Sequence, residues 1–104
     1  MKKSDTLYID EFDIAKGVPE DTCNCPIALA LQRDFNTYNV LVESYDAIYV
    51  HNKKIQIIEE DENKVCDFIA HFDSLTRDVD EDEWPLYKKY NIHPFSFRYI
   101  ILGE

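Results

Sequence analysis

Apolar residues recur every four positions at Ile27, Leu31 and Phe35, with Ala28 and Ala30 beside them. That spacing predicts a helix with one buried stripe. Pro26 suits its first position, because the missing N–H has no helical partner there and the fixed φ is already helical. The alanines let a sheet or a second helix approach closely. The stretch from Cys23 to Phe35 is apolar and charge-poor, and it is predicted to be the central buried helix of a small domain.

Ahead of it, Leu7, Tyr8 and Ile9 read as a short strand or an extended entry. Asp10 can cap a short helix whose first turn holds Glu11 and Asp13, where acids meet the positive end of the helix dipole. Phe12 and Ala15 or Lys16 share one side of it, and Gly17 ends it as the residue just beyond the last turn. Residues 18–21 read as a loop, and residues 36–39 break the central helix. Residues 40–42 and 47–50 read as strands, with a third at 55–58 after a polar turn at 51–54. The three are close enough in sequence for an antiparallel meander. Acids at 59–62 lead into a second helix, whose Val65, Phe68, Ile69 and Phe72 follow the i, i+3, i+4, i+7 rule. A favourable helix start explains that acidic run better than a binding role. Residues 73–77 close the helix. Phe95, Phe97, Tyr99 and Ile101 then alternate with Ser96 and Arg98 as a terminal strand. Its doubly apolar end at 100–102 predicts an interior place in the sheet.

The predicted fold is α+β: a small antiparallel sheet of about four strands with two main helices packed on one face, as a single domain over residues 1–104. With 45% hydrophobic residues the chain can build a core. No apolar run approaches the ~20 residues of a membrane span. No secretory apolar region follows Lys3, and the three cysteines are too odd a set for a disulfide framework. The expected location is the cytoplasm.

Candidate chemistry is sparse. Cys23, Cys25 and Cys66 with His51, His71 and His93 could supply a tetrahedral zinc site in principle, but the Cys-x-Cys spacing is not that of a zinc knuckle, and no metal or other cofactor is expected. Cys66 borders an apolar stripe, where a free thiol packs as a small hydrophobe. A helix N-terminus can activate a thiol such as Cys25, although a capping or buried thiol explains that position more simply. The histidines have no carboxylate or serine at a catalytic spacing, and two glycines do not make a phosphate-cradling loop. These features point away from an enzyme.

The charge changes the picture most. With 21 acidic and 11 basic residues the net charge is −10, which opposes direct nucleic-acid binding and favours a basic protein partner. The acids concentrate at Asp78, Asp80, Glu81, Asp82 and Glu83, next to Trp84, Leu86 and Tyr87. Such a run is most simply a solvated loop. An acidic rim around aromatic anchors also suits docking onto a cationic surface, where charge steers encounter and rings supply contact energy. Glu43 and Asp46 could extend that face.

The pieces Ile14-Ala15-Lys16-Gly17, Cys25-Pro26-Ile27-Ala28-Leu29-Ala30-Leu31-Gln32-Arg33, Phe68-Ile69-Ala70-His71-Phe72-Asp73 and Pro94-Phe95-Ser96-Phe97 give the chain its landmarks. In that order the chain resembles a group of small proteins of bacteriophages and their hosts, marked by the C-P-I-A-L-A helix motif. The resemblance implies a phage context, and hence the cytoplasm of a bacterial host. The expected function is a non-enzymatic, phage-derived inhibitor of anti-CRISPR or anti-restriction type. It would act as a DNA mimic, using Asp78, Asp80, Glu81, Asp82, Glu83 and Trp84 to occupy the basic groove of a CRISPR effector or restriction factor. The alternative is an oligomeric binder of a signalling nucleotide, with Arg33, Lys53, Lys54, Arg77 or Arg98 as anion donors. Homodimerisation remains open in both.

Overall fold

Alternating burial along β1 (Asp5–Ile9) puts Leu7 and Ile9 inside and Thr6 and Tyr8 outside, which is the period of a half-buried strand. The computed structural model describes residues 4–18, 21–74 and 92–102. Within them the chain runs β1, α1 (Glu11–Lys16), α2 (Pro26–Phe35), β2 (Val40–Ser44), β3 (Ala47–Val50), β4 (Lys53–Ile57), a 3₁₀ turn (Glu59–Asp61), α3 (Glu62–Asp73) and β5 (Phe95–Ile101).

The strands form one five-stranded antiparallel sheet in the order β1-β5-β4-β3-β2. The meander of β2, β3 and β4 and the interior place of β5 are as expected. The fifth strand is β1, which pairs with β5 in the register Leu7↔Phe97 and so joins two distant parts of the sequence. His51 and Asn52, both at positive φ, make the tight β3–β4 turn. This leaves Lys53 and Lys54 in β4 rather than in the turn. Glu43 is an extra residue between the Val42↔Ile48 and Ser44↔Ala47 pairs, a bulge in the edge strand β2.

The helices cover one face. Phe35 of α2 lies 6.3 Å from the ring of Tyr99, and Phe68 of α3 lies 4.5 Å from Phe95, both on the inward side of β5. Leu7, Ile27, Leu31, Ile48, Ile55 and Phe97 are fully buried in the layer between. Burial of one such side chain contributes about 1.5–3 kcal/mol.

Helix ends follow local chemistry. Asp10 caps α1 by accepting from the Asp13 N–H at 2.9 Å, while the Asp13 carboxylate accepts from the Asp10 N–H at 3.0 Å. Phe12 is exposed, and Asp13 and Ile14 are the buried residues of α1. Asn36 ends α2 in the left-handed region, donating its N–H to the Gln32 carbonyl. Gly17 follows α1 with extended backbone, not the left-handed conformation typical of a helix-ending glycine. It is glycine for space: a Cβ there would stand 2.6 Å from the Pro26 ring. The close approach of α1 to the start of α2 depends on its absence.

Candidate functional site

A groove of about 220 Å³ opens where the N-terminus of α2, the bulged edge of β2 and one side of α3 meet. Its apolar lining comes from Ile27 of α2, Val42 of β2 and Phe68, Ile69 and Phe72 of α3. The apolar period of α3 produces this division: Val65 and Phe72 are buried, while Phe68 and Ile69 are half-buried and reach the groove. The stacked rings of Phe68 and Phe72, 5.9 Å apart, stiffen that wall.

Three carboxylates stand around it: Asp21, Glu43 and Asp73. Asp21 organises the approach to α2, because its Oδ1 accepts from the N–H groups of Cys23 and Asn24, both at 3.0 Å. The Thr22 carbonyl in that turn accepts from the Val42 N–H at 2.8 Å and so fastens the loop to the edge of β2. Exposed Glu43, the bulged residue of β2, also lines the groove. Among the described residues the lining contains no lysine, arginine or histidine.

Cys25 also lines the groove and is the N-cap of α2, its Sγ accepting from the Ala28 N–H at 3.4 Å. Burial pushes its thiol up to about 11, against the hydrogen bonds from the helix start, and Asp73 and Asp21 add to the rise. Cys25 is therefore a neutral capping thiol at physiological pH, not an activated nucleophile. Cys23 and Cys66 are exposed, so Cys66 faces solvent rather than packing against the core as expected. His51 sits in the β3–β4 turn, His71 on α3 and His93 ahead of β5. Among the described residues no three such side chains gather as a metal site.

The two described arginines, themselves exposed, lie over buried carboxylates. Arg33 of α2 donates from Nη1 to both Asp13 oxygens at 2.9 and 3.0 Å and from Nη2 to the Tyr8 carbonyl at 2.9 Å, joining β1, α1 and α2. Arg98 of β5 donates to Asp61 from its backbone N–H at 2.8 Å, from Nε at 3.1 Å and from Nη2 at 3.2 Å. Asp61 belongs to the acidic run read as a helix start, but it is buried beneath Arg98 rather than solvated with its neighbours. Lys64 donates to the Ser96 carbonyl at 2.9 Å beside that pair. Arg33 and Arg98, two of the anion donors expected for a nucleotide, are thus held by carboxylates of their own chain. Arg77 lies outside the described residues, as do Asp78, Asp80, Glu81, Asp82, Glu83 and Trp84. Asp46 sits in the β2–β3 turn and accepts from the Ser44 hydroxyl at 2.6 Å.

No protein-family model, curated protein or solved structure matches the chain. No helix among the described residues is long and apolar enough to cross a membrane.

Proposed function

We propose that the protein is a non-enzymatic docking protein that presents negative charge to the basic, nucleic-acid-binding surface of a host defence protein and competes there with the polynucleotide. The observation that carries this reading is the pairing of Arg33 and Arg98 with Asp13 and Asp61 of their own chain, which leaves neither arginine to hold a phosphate. Glu11, Glu43, Glu59 and Asp67 stand exposed in a chain of net charge −10. The acids at 78–83 with Trp84 add the densest charge in the sequence beside an aromatic anchor. The phage resemblance favours a CRISPR effector or restriction factor as the target.

The test is affinity capture from nuclease-treated bacterial lysate, followed by a duplex-displacement assay on the captured protein. The expected result is a nucleic-acid-binding protein that this chain displaces from DNA, with affinity falling steeply as salt rises. Joint reversal of Asp80, Glu81 and Asp82 to lysine should weaken the complex and flatten that salt dependence. Displacement that survives the reversal would remove those residues from the site. Binding insensitive to salt would overturn the electrostatic reading.

A further inference from the structure

The two edges of the sheet differ. At β2 the Val42 N–H is taken by the Thr22 carbonyl at 2.8 Å, and the bulge at Glu43 follows directly. A covering loop and a bulge close a strand edge to further pairing. At β1 the backbone phase follows from β5. Arg98 directs its N–H to Asp61 and its C=O to the Ile58 N–H, both on the β4 side. Phe95, Phe97 and Tyr99, of opposite phase, therefore turn to β1 and pair with Ile9, Leu7 and Asp5. Thr6 and Tyr8 then direct their backbone groups away from the sheet. Arg33 holds the Tyr8 carbonyl from Nη2. The N–H and C=O of Thr6 and the N–H of Tyr8 have no hydrogen-bond partner among the described residues.

We infer that the outer edge of β1 receives an extended, basic segment of the partner as an added strand, a step that rests on the docking proposed above. The free groups at Thr6 and Tyr8 supply its main-chain pairing. Tyr8 of the strand and Phe12 of the helix that follows it are 65% and 75% exposed, and their rings offer faces to lysine or arginine side chains. Asp5 opens the strand and Glu11 begins α1; both are exposed and neither has an ion pair among the described residues. That charge attracts a basic segment and repels a second copy of a chain whose net charge is −10.

The test titrates the full-length protein with a peptide of alternating lysine and valine and, separately, with the same sequence methylated on every backbone nitrogen, which keeps the charge and removes the donors. Amide hydrogen exchange reports the position of binding. At saturating peptide the Thr6 and Tyr8 amides should exchange about tenfold more slowly, with Val42 unchanged, because only the first two gain a partner. The methylated peptide should bind about fivefold more weakly or worse. Thr6→Pro removes an outward N–H and leaves the pairing with β5 in place, so it should cost a similar factor, whereas Thr6→Val keeps the N–H and should bind like the parent. Equal binding of the two peptides, or unchanged exchange at Thr6 and Tyr8, would overturn strand addition while leaving the docking reading intact. Failure of both peptides to bind at low salt would also overturn it, and the docking reading falls with it only if duplex displacement fails too. If Thr6→Pro does not fold, the exchange map and the peptide comparison on the unaltered protein decide the question.

Discussion

Carboxylates meet opposite circumstances at the arginine-held corners and at the groove. At the corners, Asp13 and Asp61 are buried, with side chains 6% and 9% exposed, and each faces a guanidinium from a distant part of the chain. At the groove, Asp21, Glu43 and Asp73 stand around an apolar floor, and none of the described lining residues is a lysine, arginine or histidine. The chain uses its described arginines where a buried charge would otherwise destabilise the fold.

The corners themselves differ. Burial raises the Asp13 carboxyl above its usual range, outweighing the Asp10 N–H and Arg33. Arg98, through its side chain and its backbone N–H, holds Asp61 down at about 2. The strongest way to break the comparison is Arg33→Met, which leaves Asp13 buried without its cation and should cost about 1–3 kcal/mol at neutral pH. Part of that loss should return in acid, because a carboxyl with a raised folded pKa contributes stability below its unfolded value and loses it as pH rises. Urea unfolding across pH measures both effects. A variant as stable as the parent at neutral pH would show that the Asp10 cap alone suffices for Asp13.

A smaller effect separates the two corners by sign. Asp61 has a depressed folded value, so its contribution is present above the unfolded carboxylate value of about 3.9 and is lost as pH falls toward about 2. Asp61→Asn should therefore flatten the stability profile within that acid window. Asp13→Asn should act oppositely: relative to the parent, it becomes more stable as pH rises through the carboxylate range. Parallel profiles for the two substitutions would erase the distinction.

These contrasts explain what could be read from the chain alone. The period of Ile27, Leu31 and Phe35 with Pro26 placed α2 correctly, and the alternation from Phe95 to Ile101 placed β5. Both signals are local, arising within one element. Asp61 looked like its acidic neighbours because its partner Arg98 lies 37 residues away, and composition does not say which acid of a run turns inward. The pairing of β1 with β5 is equally non-local, so the short strand at residues 7–9 gave no sign of its place in the sheet. The groove was hidden for the same reason. It is assembled from the turn at 21–25, one bulged residue of β2 and the half-buried flank of α3. Phe68 and Ile69 belonged to a recognisable stripe, but nothing in that stripe distinguishes a core residue from a groove wall. The bulge at Glu43 has no sequence signature of its own.

The gentlest probe of the comparison is the Cys25 thiol, which can register the groove's field without altering the fold. With its pKa pushed up to about 11, Cys25 should react with an uncharged alkylating agent far more slowly than exposed Cys23 and Cys66 at mildly alkaline pH. Burial is the main cause, so removing a rim charge should restore only a fraction of that reactivity. Asp73→Asn deletes the larger of the two charge contributions and should speed Cys25 alkylation by a few-fold, about the effect of one nearby unit charge at a partly screened site. Added salt should shrink the difference between parent and variant. Mass spectrometry of the modified chain resolves the three cysteines separately, so Cys23 and Cys66 serve as internal controls. Acceleration confined to Cys25 would show that Asp73 acts on the thiol across the groove, in contrast to corners where each carboxylate faces a guanidinium. Unchanged Cys25 reactivity would mean that burial alone sets its behaviour and that Asp73 does not project charge into the groove.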